Sequence, residues 1–288
     1  MACAFPSPSW EKLVFGALDG LFGERNGPWQ SARKNIEILL KHFQETGTTR
    51  QGANEATLPW VDAAEKEHAA YPFRGIVVRV AEAPKPHWVV AATFGAVEHP
   101  IWSCDPGPVT RQAADLANAL APVLRAAKEI RFVDPYFDAG VREFLGPMTA
   151  FLGAAQARRT LADLRMSIHV AVEYKELEQA KRIDPTVNTF EMLARRKHQT
   201  CREKLKPLLR PGVDMKFYAW REGTDAFHNR YVLSNIGGVL LGTGLDANGR
   251  VRTATDDLTI LSASQAKARW AKYSTPSPSL KLVLEEVL

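Results

Sequence analysis

Residues 227–246 read FHNRYVLSNIGGVLLGTGLD, and this stretch is the most informative part of the chain. Apolar runs stand on both sides of Gly237-Gly238, a pattern that predicts two short strands joined by a turn. Two strands do not account for His228 and Arg230, which lie two residues apart where the first strand begins. This pair is therefore the first candidate for chemistry.

Strands and helices alternate in the sequence around this stretch. From residue 129 onward the predicted order is β-α-β-α-β-β-β-β-α, which indicates an α/β fold with a mixed β-sheet flanked by helices. A helix over 110–127 precedes this run, and before it 75–80 and 87–94 predict a hairpin. The predicted strands are 130–133, 164–174, 213–220, 230–234, 238–241 and 257–262, and the predicted helices are 140–159, 189–209 and 264–273.

The amino-terminal part of the chain has a different character. Amphipathic helices are predicted over 8–22 and 29–44, and the polar segment 45–59, rich in Gly and Thr, is the best linker candidate. These features predict a helical amino-terminal region over 1–58 and an α/β domain over 59–288. The two helices also offer a candidate surface for a protein partner.

The composition is that of an ordinary globular protein. The chain has 288 residues, a net charge of +5 and a pI near 9.1, so its mild basic excess permits a partner such as nucleic acid or an anionic lipid surface. Its three cysteines, Cys3, Cys104 and Cys201, are widely separated and predict neither a disulfide framework nor a zinc site. No apolar run reaches the roughly 20 residues of a membrane span, and the start lacks a signal-peptide pattern. We expect a cytoplasmic protein.

The stretch 227–246 also matches a known motif in its spacing. The phospholipase D superfamily carries H-x-K-x(4)-D-x(6)-G-S-x-N, and this chain resembles that motif in spacing. It has Arg in place of the Lys, Asn in place of the Asp, Thr in place of the Ser, and Leu in place of the last Asn. The segment RFVDPYF at 131–137 resembles the Pro-aromatic corner that often ends the first strand of that fold. The resemblance covers residues 129–273. The six motif positions are His228, Arg230, Asn235, Gly242, Thr243 and Leu245.

The resemblance implies a chemistry and a role for each matching residue. In the catalytic family the His attacks phosphorus to give a phosphohistidine, the neighbouring groups hold the phosphate oxygens, and neither a metal nor a cofactor is needed. Because this chain carries one such motif, a homodimer is implied, in which a second copy supplies the second His. The implied site comprises catalytic His228 and Arg230, phosphate-binding Gly242, Thr243 and Asn235, and the possible accessory carboxylates Asp134 and Asp246.

Two functions follow from this resemblance. The first is a phosphodiester hydrolase or transferase that acts on nucleic acid, which the basic charge favours over lipid. The second is a catalytically degenerate module that binds phosphate groups of nucleic acid or anionic lipid within a larger assembly. The sequence GTGLD at 242–246 favours the binding module. It is similar to the PLD-like domain of MIT-domain proteins, where an H-x-R variant followed by G-x-G-L-D serves membrane binding. Arg230 in place of Lys suits phosphate binding as well as turnover. An interaction protein with a vestigial motif is a third hypothesis.

A basic segment supplies a candidate footprint for a polyanion. Residues 195–206 hold six cations and a single acid, Glu203, on a predicted helix. Aromatic residues on the next strand are expected in the core, His169 and His198 are expected to be structural, and Asp256-Asp257 is expected to be a turn pair. The patch residues are Arg195, Arg196, Lys197 and Arg202, and the aromatic residues are Phe217, Tyr218 and Trp220.

Overall fold

The computed structural model divides the chain into two compact units, residues 1–99 and 100–288. The second unit begins later than the α/β domain predicted from residue 59, and the linker predicted at 45–59 lies almost wholly outside the described residues, as does most of the helix predicted at 8–22. The structure describes residues 15–16, 19–20, 27–46, 59–70, 75–78, 85–90, 107–157, 164–222, 227–247 and 253–288.

The described part of the first unit contains two helices and a short pair of strands. Helix α1 confirms the helix predicted at 29–44, whereas α2 was not predicted. The predicted hairpin is wrong in direction, because Ile76 pairs with Trp88 and Val78 with Val90 in parallel. Runs of apolar residues indicate strands, but the path of the connection decides whether the strands are parallel. The elements are α1 (Gly27–Thr46), α2 (Trp60–Ala70), β1 (Ile76–Val78) and β2 (Trp88–Val90).

The second unit is an α/β domain with a mixed sheet, as predicted, and the sheet has eight strands. Its strand order is β10-β6-β5-β4-β7-β8-β9-β3, in which β4, β5 and β6 are parallel and every other neighbouring pair is antiparallel. The strands are β3 (Pro108–Thr110), β4 (Glu129–Val133), β5 (Arg165–Ala171), β6 (Asp214–Glu222), β7 (Arg230–Ser234), β8 (Gly237–Leu241), β9 (Thr255–Ile260) and β10 (Leu280–Val287). The helices are α3 (Ala113–Ala126), α4 (Arg142–Gln156), α5 (Tyr174–Ile183), α6 (Phe190–Leu205) and α7 (Ala263–Lys272), with a 3-10 turn at Lys206–Leu208.

Hydrophobic periodicity explains how these elements assemble. On α3 the buried residues Leu116, Leu120 and Leu124 recur every fourth position, so they form one apolar stripe. One face of the sheet presents residues such as Phe132 and Phe217, which are fully buried in the same core. The core therefore lies between this sheet face and the helices that cover it.

The topology also decides where polar residues collect. Parallel strands β4, β5 and β6 end at one sheet edge, and β7 starts there because it runs antiparallel to β4, with Val133 opposite Tyr231. Since β8 is antiparallel to β7, Arg230 lies opposite Leu241, and the loop after β8 returns to the same edge. We call this edge the carboxyl edge.

Of the helices that the structure describes, none combines the length and apolar character needed to cross a membrane.

Candidate functional site

Most residues of the predicted site meet at the carboxyl edge. Asp134 follows β4, Arg230 begins β7, and residues 242–246 follow β8. The start of β9 and the end of β3 also lie there, because Val109 pairs with Asp256. Five segments, which lie between residues 109 and 256, thus supply one cluster.

The loop 242–246 is held by backbone hydrogen bonds and by a glycine. The Leu245 amide donates to Oδ2 of Asp134 over 2.9 Å. Gly244 has a φ of +119°, and a Cβ on it would lie 2.9 Å from carboxylate oxygens of both Asp134 and Asp246. Only glycine fits both this φ and this space. The two carboxylates predicted as accessory groups are therefore brought together around Gly244.

Asp134 is the buried carboxylate of the site. It is 1% exposed, and its Oδ1 and Oδ2 accept from the amides of Tyr136 and Leu245, each over 2.9 Å. Burial raises the pKa of Asp134 above its usual value, while the two backbone hydrogen bonds and the charge of Arg230 oppose this increase. Asp134 thus acts first as a structural acceptor that fixes the loop.

The guanidinium of Arg230 makes few contacts with the residues that the structure describes. Its Nε is buried and has no hydrogen-bond partner among them, and its Nη1 lies 3.5 Å from the Gly242 carbonyl oxygen, at the limit of a hydrogen bond. Its Cζ lies 5.1 Å from the ring centroid of Tyr136. Among the residues that the structure describes, no carboxylate forms an ion pair with Arg230.

His228 is the accessible residue of the site. Its side chain is 64% exposed, and Nε2 lies 3.7 Å from Oε1 of Glu222, the last residue of β6. His228 lies two residues before Arg230, in the segment that enters β7. The structure therefore places an exposed imidazole and the Arg230 guanidinium on one short segment at the carboxyl edge.

Thr243 is tied to Asp256, a residue that the sequence analysis assigned to a turn. The Thr243 hydroxyl donates to Oδ2 of Asp256 over 2.7 Å, and its amide lies 3.3 Å from the same oxygen. Asp256 is 7% exposed and belongs to β9, so its assignment to a turn was wrong. The hydroxyl proton of Thr243 is thereby engaged within the protein, whereas its oxygen still has acceptor capacity.

Arg111 is a site residue that the sequence analysis missed. It is 5% exposed, and its Nη2 donates to both Oδ2 and the carbonyl oxygen of Asp246, over 2.7 and 2.6 Å. Its Nη1 lies 3.8 Å from Oδ2 of Asp256. No motif marks Arg111 in the sequence, where it falls within the helix predicted at 110–127, and strand β3 just before it was not predicted.

Asn235 lies away from this cluster. It follows β7, whose end is opposite to the end that carries Arg230. Its Oδ1 accepts from the amides of Lys128 and Glu129 over 2.8 and 3.0 Å. The expected phosphate-binding role of Asn235 is therefore corrected, because its side chain joins the start of β4 to the end of β7.

The basic patch on α6 is partly neutralised. Arg195 forms ion pairs with Glu191 and Glu286, and Lys197 forms one with Glu176 over 2.8 Å. Because these three acids lie outside the segment 195–206, its own composition overstated the free positive charge. Arg196 and Arg202 are exposed and form no ion pair within the described ranges.

His169, His198 and two of the three aromatic residues of β6 are buried, as predicted. His169 is 1% exposed, accepts a hydrogen bond from Trp220 Nε1 at Nδ1 over 3.0 Å, and lies 2.9 Å from the Ser167 hydroxyl through Nε2. Burial, with a smaller contribution from Arg131, lowers the pKa of His169 well below its usual value. His198 is 6% exposed beside Phe217. Phe217 and Trp220 are fully buried, whereas Tyr218 is half-buried.

Within the ranges that the structure describes, no group of three or more His, Cys, Asp and Glu side chains is arranged to hold a metal ion. Among the described residues, the site comprises the exposed imidazole of His228, the guanidinium of Arg230 without an ion-pair partner, and a loop held by Asp134, Asp256 and Arg111. Comparison of the chain with protein-family models and with curated proteins finds no match.

Proposed function

We propose that this protein binds phosphodiesters through a site similar to that of the phospholipase D superfamily, and that it hydrolyses or transfers them in nucleic acid through His228. The observation that carries the proposal is the state of Arg230. Its guanidinium lacks an ion-pair partner among the described residues and lies two residues along the chain from the accessible imidazole of His228. A phosphate bound by Arg230 would meet the imidazole of His228.

The proposed reaction has two steps. An imidazole nitrogen of His228 attacks the phosphorus, a P–N bond forms, and the P–O bond to the leaving group breaks. Water then attacks the phosphorus and breaks the P–N bond; attack by an alcohol instead would be the transferase reaction. Arg230 stabilises the charge that develops on the phosphate oxygens in both steps.

The leaving oxygen needs a proton, and one imidazole cannot act as nucleophile and as acid in the same step. The other histidines described in this domain, His169 and His198, are buried, and the ring of His169 is engaged by Trp220 and Ser167. We therefore propose a homodimer in which His228 of a second copy donates this proton and later accepts one from the attacking water. The exposure of His228 is compatible with such an arrangement.

A second candidate function is phosphate binding without turnover, on nucleic acid or anionic lipid. It is favoured by Arg230, whose planar fork suits bidentate binding of phosphate oxygens. Nucleic acid is again the preferred partner because the chain has a net charge of +5 and because Arg196 and Arg202 are exposed.

One experiment separates the two functions. Wild-type protein and the His228→Ala, Arg230→Ala and Asn229→Ala variants are incubated in EDTA with single-stranded DNA, duplex DNA, RNA and bis(p-nitrophenyl) phosphate, and cleavage and gel retardation are followed together. Asn229 is the matched control, since it is an exposed residue between His228 and Arg230 to which no role in the site is assigned.

Catalysis predicts cleavage that His228→Ala lowers by at least about a thousandfold and that Asn229→Ala leaves unchanged. The binding function predicts retardation without cleavage, which Arg230→Ala abolishes and His228→Ala spares. If no nucleic acid were cleaved and none were retarded, that result would contradict the nucleic-acid proposal. A monomer by sedimentation, with specific activity independent of protein concentration, would contradict the shared site.

A further inference from the structure

Tyr136 is an exposed aromatic residue at the candidate site that the proposed reaction does not use. Its side chain belongs to the corner that follows β4 and is 43% exposed, whereas Pro135 and Phe137 on either side are buried. The amide of Tyr136 donates to Oδ1 of Asp134, and the amide of Phe137 donates to the Asp134 carbonyl oxygen over 3.2 Å. The corner is thus anchored on both sides of the one ring that projects from it.

The position of this ring relative to Arg230 is specific. The Cζ atom of Arg230 lies 5.1 Å from the centroid of the Tyr136 ring, within the range of a cation–π contact. The guanidinium that lacks an anionic partner among the described residues therefore has an exposed aromatic surface as its neighbour. A ligand that places a phosphate on Arg230 would bring the adjoining part of its structure to Tyr136.

We infer that Tyr136 is a stacking platform for a nucleobase, so that the site selects a single-stranded nucleic acid with an unpaired base beside the bound phosphate. The inference rests on the proposed binding of phosphate by Arg230. Every nucleobase has a π-face that stacks on an aromatic ring, so such a platform binds strands with little sequence preference. In a duplex the same face is covered by neighbouring bases, and a phospholipid has no such face.

Rigidity of the corner supports this role. A tyrosine on a mobile loop would lose conformational freedom when it stacked against a base, which lowers affinity. The anchored neighbours of Tyr136 have already fixed its backbone, and its ring has only two side-chain torsions to restrict. Tyr136 therefore resembles the rigid aromatic residues that contribute strongly to binding interfaces.

The test compares two labelled strands by fluorescence anisotropy in the presence of EDTA. One is an oligothymidylate about 12 nucleotides long, a length typical of single-strand binding sites. The other has the same length and the same phosphates but abasic sites throughout. All proteins carry His228→Ala so that no strand is cleaved, and the compared changes are Tyr136→Leu, Tyr136→Phe and Arg230→Ala.

We expect Tyr136→Leu to weaken binding of oligothymidylate by roughly 5- to 150-fold, the effect of losing one base–aromatic stack, and to leave abasic-strand binding within about twofold. Tyr136→Phe keeps the ring and should bind both strands like the parent. A duplex of the same length should bind more weakly than oligothymidylate to the parent and should be insensitive to Tyr136→Leu.

Equal losses for both strands in Tyr136→Leu would overturn the inference, because Tyr136 would then act by holding Arg230 in place. Unchanged binding of both strands would overturn it as well. Failure of the proposed function gives a different result, in which Arg230→Ala leaves binding of the abasic strand unchanged. Circular dichroism of each variant verifies that the fold is retained.

Discussion

Arg111 donates to both the carboxylate and the backbone carbonyl of Asp246, over 2.7 and 2.6 Å, across a sequence separation of 135 residues. This contact joins the segment after β3 to the loop after β8. The same guanidinium approaches Asp256, which in turn accepts the Thr243 hydroxyl. The candidate site therefore depends on a residue that belongs to no recognisable motif.

Loss of the buried Arg111 guanidinium should destabilise the folded protein. We expect Arg111→Ala to lower the free energy of unfolding by about 3 kcal/mol, because buried Asp256 and partly buried Asp246 would lose their countercharge. Arg111→Lys should not restore the stability, since an ammonium cannot reproduce the planar fork. Urea unfolding measures both changes. Arg195→Ala, which removes an exposed cation from α6, is the control and should have little effect; an equally small effect of Arg111→Ala would contradict the role assigned to Arg111.

Gly244 should not tolerate a side chain. Gly244→Ala would place a methyl group 2.9 Å from two carboxylate oxygens in backbone with a φ of +119°. We expect a loss of about 2 kcal/mol or more in the free energy of unfolding, together with weaker phosphate binding. Gly153→Ala is the matched control, because Gly153 lies on α4 with open space around it. That change should stabilise the protein by about 0.5–1 kcal/mol, and similar effects of the two substitutions would refute the prediction.

His169 should make stability depend on pH. Burial holds its folded-state pKa well below the usual 6.5, so the unfolded chain binds the proton more readily. The stability that neutral His169 contributes is complete above pH of about 6.5 and is lost as pH falls below this value, by at most about 1.4 kcal/mol per pH unit.

The pH dependence is measured by urea unfolding of the wild type and of His169→Gln. The glutamine keeps a hydrogen-bonding group beside Trp220 but does not titrate. The difference in unfolding free energy between the two proteins should therefore shrink as pH falls from about 7 to about 5. A difference that stays constant over this range would show that His169 is protonated equally in the folded and unfolded states.

The two exposed arginines of α6 should contribute to nucleic-acid affinity more than their paired neighbour. We expect Arg196→Ala with Arg202→Ala to reduce the slope of log K against log salt by about 0.7–0.9 for each phosphate that the variant no longer neutralises. Arg195→Ala is the control on the same helix, since Glu191 and Glu286 already neutralise Arg195. The measurement is a salt titration of single-stranded DNA binding. Equal slopes for the double variant and the wild type would show that these two arginines of α6 do not contact the nucleic acid.

Several elements were predictable because their own residues determine them. Strand β7 occupies the predicted residues 230–234, and α6 and α7 differ from prediction by only a few residues at their ends. Other elements carry weaker local signals and were not predicted. Helix α5 has the polar sequence YKELEQAKRI and depends on a capping box between Glu173 and Glu176, and β10 is a partly exposed edge strand without clear alternation.

By itself the sequence determined the α/β class, most elements of the second unit and the placement of His228 and Arg230 on one short segment. These features follow from hydrophobic periodicity and from residue spacing within single segments. Only the tertiary structure decided which distant charges meet. It joined Arg111 to Asp246, placed acids from other elements against the α6 cations, and moved Asn235 to the far end of β7. Such contacts depend on strand order and direction, which arise from the packing of the whole domain and leave no trace in a local pattern.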